Sequence, residues 1–329
     1  MKNITNSLTL KIAVTGANGF VGMRLCNELM RHNYLIKVIA RQHINEAKPA
    51  DFYYISDIND QIDWGLVLSD THFIVHLAAR VHVMQEIAKN NLESFLAVNL
   101  AGTVNLAKAA AKAGVKRFIY VSSIKVNGES TTNKKFIETD IPNPLDPYAI
   151  SKWEAEKALR KIELETGMEV VILRPPLIYG PGVKANFASL LKLVDKGLPL
   201  PLLAIKNRRS LIFLDNFVDA IITCVTHPNA AGKTYLVSDG EDVSMAQLIK
   251  KIAFSLNKPS YLFYFPLIVI RLFAKLIGKS SSINRLTESL VIDSSRIRKE
   301  LDWQPPFGID QGLKITADAY RKISTSELI

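Results

Sequence analysis

Residues 10–22 read LKIAVTGANGFVG. A five- to six-residue apolar run of strand length ends at Thr15 and is followed at once by Gly16, Gly19 and Gly22. A helical pattern then begins at Phe20 and runs to Arg31. Glycines in a strand–turn–helix junction permit a tight turn, let the backbone approach a pyrophosphate, and let helix and strand pack closely. The helix N-terminus adds unpaired N–H groups and positive potential for the phosphates. Gly16, Asn18, Gly19, Phe20, Val21 and Gly22 are therefore candidate dinucleotide-binding positions.

Working outward, the same rhythm repeats. Strands are expected at Leu35–Ala40, Phe52–Ile55, Phe73–Leu77, Arg117–Ser122 and Val170–Arg174. A long helix runs through Val98, Val104, Leu106 and Ala110, and another from Pro147 to Thr166, capped by Asp146. Strands alternating with helices imply right-handed crossovers and an α/β fold with a doubly wound parallel sheet. After Arg174 prolines accumulate and loops lengthen, which suggests a smaller α-rich substrate-binding region. The expected division is a dinucleotide-binding domain over residues 1–174, with elements from about 209–238 added. Residues 175–208 and 239–329 would form the substrate region. Ligands in such sheets bind at the carboxyl ends of the strands. That edge adds Ile58, Leu77, Ala78, Ala79, Ser122 and Pro175 to the cofactor candidates.

Arg41 follows the second strand, where an acid would take the ribose hydroxyl of NAD; an arginine there suits the 2′-phosphate of NADP instead. NADP(H) is therefore the expected cofactor, with NAD as the other choice. Asp57 is placed either to meet the adenine edge or to close a turn.

Tyr148 and Lys152 lie one turn apart at the start of a capped helix, so phenol and ammonium share a face. A nearby positive charge favours the phenolate, which suits proton exchange with a carbinol or ketone. Ser123, at the end of the fifth strand, is placed to hydrogen-bond the same substrate oxygen, and Asn99 to anchor the site through its amide. Ser123, Tyr148 and Lys152 are the candidate catalytic residues. Tyr148 and Lys152 also count as cofactor contacts.

The two cysteines, Cys26 and Cys224, have no partners in a CxxC or histidine cluster, so they read as small buried apolar residues and no metal is expected. Lys and Arg outnumber Asp and Glu by 41 to 31. They are dispersed, which argues for a surface that attracts phosphorylated ligands and against nucleic-acid binding. The N-terminus has no apolar secretory core, so cytoplasm is the expected compartment. Residues 261–277 (YLFYFPLIVIRLFAKLI) are very apolar. They fall short of the ~20 residues of a spanning helix. A buried helix of the substrate region is expected, with in-plane contact at a membrane surface as the alternative.

Taken together, TGANGFVG (15–22), HLAA (76–79), VNLAGTVNLAKAA (98–110), VSSIKVNGE (121–129), YAISK (148–152), RPPLIYGPG (174–182) and RIRKELDWQP (296–305) resemble the extended short-chain dehydrogenase/reductases, in the nucleotide-sugar epimerase/dehydratase/reductase group. The resemblance implies that Tyr148 is the acid/base, that Lys152 orients it and binds the nicotinamide ribose, and that Ser123 assists. It places Arg209 on the nucleotide diphosphate and suggests Asn186 and Arg285 on the substrate side. It also implies a homodimer formed through the helices after Val98 and Pro147. The chain departs from the common epimerase pattern at Val126-Asn127-Gly128, at Arg174-Pro-Pro-Leu177 and at Arg41. The chain resembles instead a bacterial polysaccharide-pathway subgroup that includes reductases of UDP-4-keto-6-deoxy-N-acetylhexosamines, and this resemblance implies an NADPH-dependent reductase of such a sugar in polysaccharide biosynthesis. The alternatives are a UDP-glucose or UDP-N-acetylglucosamine 4-epimerase with tightly bound NAD and a non-catalytic dinucleotide-binding protein, against which the intact triad argues.

Overall fold

The structure, a computed structural model, describes residues 10–41, 51–55, 57–59, 61–81, 92–276 and 286–326. Two units are distinguished: residues 1–126, 142–174 and 221–235, and residues 127–141, 175–220 and 236–329.

The first unit is built on β1 (Lys11–Thr15), β2 (Leu35–Ala40), β3 (Asp51–Tyr54), β4 (Phe73–His76), β5 (Arg117–Val121), β6 (Glu169–Arg174) and β9 (Thr234–Leu236). Their order across the sheet is β3-β2-β1-β4-β5-β6-β9. The pairings of β1 with β2 and β4, of β2 with β3, and of β5 with β4 and β6 are all parallel. Chain order reverses between β1 and β4, the switch point where ligands enter such sheets. The central strands are buried almost throughout, as strands covered by helices on both faces must be.

The helices of this unit are α1 (Phe20–Arg31), the short α2 (Gly65–Leu68), α3 (Leu92–Leu96), α4 (Thr103–Lys112) and α5 (Pro147–Thr166). Between α3 and α4 the chain makes a wider π turn over Ala97–Gly102. One face of the sheet packs Ile74, Phe118 and Ile172 against Leu106 of α4 and Leu159 of α5. Asp146 accepts a hydrogen bond from the Ala149 amide at 2.7 Å, the cap read from the sequence. Gly167 closes the helix at φ +75°. Cys26 and Cys224 are buried thiols, and burial pushes both up to about 12.

The second unit holds a three-stranded mixed sheet of order β10-β8-β7, made of β7 (Leu177–Tyr179), β8 (Arg209–Phe213) and β10 (Asp242–Val243). β8 runs parallel to β7 and antiparallel to β10. The region expected to be α-rich thus has a sheet of its own. Residues 209–213, assigned by the sequence analysis to the first domain, pair here instead. Around this sheet lie α6 (Ala185–Asp195), α8 (Met245–Ser255), α9 (Leu267–Leu276), α10 (Ser295–Leu301) and α11 (Ile309–Ser326). The boundary between units runs through α7 (Leu214–Thr226). Asp239 collects the Phe213 amide, Asn216 Nδ2 and the Tyr179 hydroxyl, which ties β7 and β8 to the start of α7.

Helix α9 corrects one expectation. Residues 261–276 were expected to be buried, yet Ile268, Leu272 and Leu276 are 73, 58 and 82 % exposed. Contacts with the core come from Leu262 and Leu267, while these three side chains stay outside it.

Candidate functional site

The glycine turn is shaped for a close approach. Gly16 has φ +67°, and a Cβ there would sit 2.8 Å from the Ala78 amide nitrogen. A Cβ on Gly22 would sit 2.2 Å from the Gly16 carbonyl oxygen, so any larger residue would drive α1 off β1. The Gly19 amide donates to that same carbonyl at 2.9 Å and closes the turn. Gly19 caps α1 without a side chain, so no side-chain oxygen occupies the N-terminal amides. This cradle fits a dinucleotide pyrophosphate. Asn18, Phe20 and Val21 are all partly exposed around it.

At the ends of the neighbouring strands, Arg41 is exposed directly after β2. Asp57 is exposed after β3 and accepts from the Ile58 amide, a local turn bond at 2.9 Å. Ile58 itself is buried, and a Cβ on Gly102 would meet its methyl at 2.5 Å. It therefore packs against the helix as well as bordering the edge. Leu77, Ala78 and Ala79 leave β4 half-buried.

A buried polar chain runs beneath these positions. Thr103 Oγ1 donates to the Asn99 carbonyl, so it accepts from His76 Nε2–H at 2.9 Å. The ring's Nδ1 then accepts from Thr15 Oγ1 at 2.6 Å, and Thr15 accepts from the Ala78 amide. Burial, with a smaller push from Lys152, holds His76 down to about 3, so it stays neutral in its Nε2–H tautomer. The effect is to fix β1, the loop after β4 and the π turn against one another.

Asn99 is fully used by the protein. Its Oδ1 accepts from the Arg80 amide, while Nδ2 donates to the Arg80 carbonyl and to Ser151 Oγ. Ser151 in turn donates to the Tyr148 carbonyl. The amide expected to anchor the site thus locks the first turn of α5 to the loop after β4.

Tyr148, Lys152 and Glu156 follow one another at four-residue spacing along α5. Tyr148 is half-buried and packs edge-on to Phe95, with ring centroids 6.4 Å apart. Lys152 is 2 % exposed; its Nζ donates to the Val121 carbonyl at 2.9 Å and lies 4.5 Å over the Tyr120 ring. The expectation that lysine lowers the tyrosine pKa is not met in this state. Burial pushes the Tyr148 phenol up, Asp146 adds to this, and burial brings Lys152 down to about 7. Desolvation dominates both shifts, and at Lys152 the Glu156 charge opposes it.

Ser123 ends β5 half-buried, and its Oγ accepts from the Lys125 amide. Ser122 turns the other way and donates to Glu156 Oε1 at 2.5 Å. Arg174 grips both oxygens of Glu156, through Nε at 2.9 Å and Nη2 at 2.5 Å. Ser122, Glu156 and Arg174 are each at most 3 % exposed. This trio was not singled out from the sequence; the signal was Glu156 recurring one turn beyond Lys152.

In the second unit, Pro175 follows β6 and is buried, and Asn186 is exposed in the first turn of α6. Arg209 opens β8, where Nη1 donates to the Glu288 carbonyl and burial lowers its pKa. Arg285 lies outside the described residues. Among the described residues no cluster of His, Cys, Asp or Glu is arranged to hold a metal ion.

Several known proteins share this organisation. A Vibrio cholerae UDP-glucose 4-epimerase is 46 % identical over 94 % of this chain and 95 % of its own length. An Escherichia coli O157:H7 N-acetyl-alpha-D-glucosaminyl-diphospho-ditrans,octacis-undecaprenol 4-epimerase is 29 % identical over 93 % of each chain. The solved Thermotoga maritima UDP-glucose 4-epimerase with UDP-glucose superposes with a TM-score of 0.78 at 22 % identity, covering 96 % of this chain and all of that one. The model of the NAD dependent epimerase/dehydratase family matches residues 12–238, and this chain belongs to that family.

Proposed function

We propose that the protein is a 4-epimerase of a UDP-linked hexose or N-acetylhexosamine that works with bound NAD. The observation that carries this reading is the 46 % identity, across nearly the whole chain, to a UDP-glucose 4-epimerase. It reverses the order of the two activities expected from the sequence. Tyr148 exchanges the proton of the sugar's C4 oxygen. Ser123 holds that oxygen by a hydrogen bond. Lys152 binds the nicotinamide ribose and orients the phenol, and Asn99 with Ser151 keeps the helix turn in register. Gly16, Gly19 and Gly22 carry the pyrophosphate. When bound, the dinucleotide supplies a two-electron acceptor at C4 that returns the hydride, so the centre is inverted without net oxidation. Arg209 is assigned to the nucleotide diphosphate, with Asn186 beside the sugar. The product would feed polysaccharide assembly in the cytoplasm, and the working unit would be a homodimer.

A second reading rests on Arg41. An exposed arginine directly after β2 suits the 2′-phosphate of NADP(H), and with it a 4-keto-sugar reductase that must exchange its cofactor each turnover. One measurement separates the two: identify the nucleotide released on denaturing the purified protein, then titrate the emptied protein with NADH and NADPH. Retained NAD supports the epimerase. An empty site that prefers NADPH replaces it with the reductase and makes Arg41 the selecting residue.

A further inference from the structure

Helix α9 and the strand-like segment before it carry more exposed apolar surface than a soluble face needs. Ile268, Leu272 and Leu276 recur every four residues and form one stripe along the helix, all exposed. Before the helix, Tyr261, Phe263 and Tyr264 are also exposed, Tyr264 by 71 %. Leu203 extends the patch, since its amide donates to the Phe263 carbonyl. The patch is held rigidly on the second unit: the Leu200 amide donates to the Tyr261 carbonyl, and Leu262 and Leu267 pack into the core beneath.

Along the sequence, the charge in and beside this segment has one sign. Residues 243–287 contain no Asp or Glu, yet hold Lys250, Lys251, Lys258, Arg271, Lys275, Lys279 and Arg285. In a chain with 31 acidic residues, a 45-residue stretch without one departs from the mixed surface expected of a freely soluble protein. Lys275 is exposed beside the stripe, and Lys250 stands exposed one turn before the exposed Phe254, while Lys251 pairs with Glu241 and Asp310 and Lys258 with Asp195. No helix among the described residues is long and apolar enough to cross a membrane. Exposed apolar side chains on a ten-residue helix, tyrosines at its approach, and an exposed lysine on the helix within a segment of sequence free of acids are the attributes of a segment lying in the plane of a bilayer surface.

We propose that residues 261–276 dock the second unit onto an anionic lipid bilayer, with the Ile268–Leu272–Leu276 stripe among the acyl chains and the lysines on the headgroup phosphates. The surface is independent of the reaction assigned above and stands or falls separately from it. The apolar stripe supplies depth, and the basic residues supply selectivity for negative lipid, which salt screens.

The test is co-sedimentation of the full-length protein with vesicles of phosphatidylcholine alone and with about 30 mol % phosphatidylglycerol added. The native chain is expected to pellet with the anionic vesicles at least about tenfold more than with neutral ones, and to be released by high salt. The triple variant Ile268→Ser, Leu272→Ser, Leu276→Ser alters only exposed positions, so it should keep its circular dichroism and nucleotide content while losing vesicle binding. Lys275→Gln should weaken binding to anionic vesicles and leave the neutral background unchanged. Native protein that remains in the supernatant with anionic vesicles overturns the proposal. So does a triple variant that binds like the native chain. Conversion of a native dimer to monomer by the same triple variant, without any vesicle binding by either, assigns the stripe to a second copy instead.

Discussion

At the scale of single residues, Tyr148 and Lys152 decide whether the site does chemistry. Replacing Tyr148 by Phe keeps the edge-on packing with Phe95 and removes the hydroxyl with its exchangeable proton. Turnover should fall by about 10²–10⁴-fold, the usual worth of a positioned acid/base, while the nucleotide content of the purified protein stays the same. Undiminished turnover of the Phe variant would remove Tyr148 from the mechanism. Lys152 offers a separate test in the emptied protein, because burial lowers its pKa from 10.5 to about 7. Between those two values the unfolded chain binds a proton that the folded chain lacks, so stability must rise with pH across that window. Below about 7 both states are protonated and the full cost of burying the charge remains. Thermal midpoints of the native protein and Lys152→Met, compared from neutral to alkaline pH, should therefore diverge in favour of the native chain as pH rises. A difference that stays flat means that Lys152 is not held as a desolvated ammonium.

At the scale of elements, helix α5 was legible because its signals are local. The Asp146 cap, Pro147 at the first position and the four-residue spacing of Tyr148 and Lys152 need no tertiary information. The glycine turn was legible for the same reason. What holds α5 in place was not, because Glu156, Arg174 and Ser122 lie on a helix and two different strand ends that only the fold brings together. Asn99 was read as an anchor without named partners: a sequence shows an amide near a site without showing that Arg80 and Ser151 are the groups it bonds. The trio makes a sharp prediction. Arg174→Leu leaves the Glu156 carboxylate buried without its cation and should cost about 3–5 kcal/mol in urea unfolding. The double variant Glu156→Leu, Arg174→Leu removes both charges and should recover most of that loss. A double variant as unstable as the sum of the two single ones would show that the residues pack independently.

At the scale of the whole molecule, the order of strands could be inferred from alternation, but the way the chain returns to the first unit could not. From the sequence, the dinucleotide-binding domain is expected to end near Arg174 with elements from about 209–238 added. In the structure residues 209–213 belong to the smaller sheet, and residues 221–235 complete the larger one. The reason is visible at Arg117, which is 2 % exposed at the start of β5. Its Nη1 donates to the carbonyls of Cys224, Val225 and His227 at 2.7, 3.0 and 2.8 Å. Among the described residues its partner from the N-terminal part of the chain is Glu169, which accepts from Nε at 2.6 Å. The Ile172 amide likewise donates to the Lys233 carbonyl, and Arg160 reaches Lys233 and Thr234. A fragment ending at residue 174 thus exposes one edge of the sheet and strips a guanidinium of three acceptors. Three hydrogen bonds from a charged group, at about 1.5–3 kcal/mol each, approach the total stability of a domain even with the Glu169 pair kept, so residues 1–174 alone should show no cooperative urea transition. Joining residues 221–235 to that fragment through a flexible linker should restore the transition. If the shorter fragment unfolds cooperatively at the midpoint of the full chain, the three carbonyls contribute little and β9 is an ornament on a sheet already complete at β6.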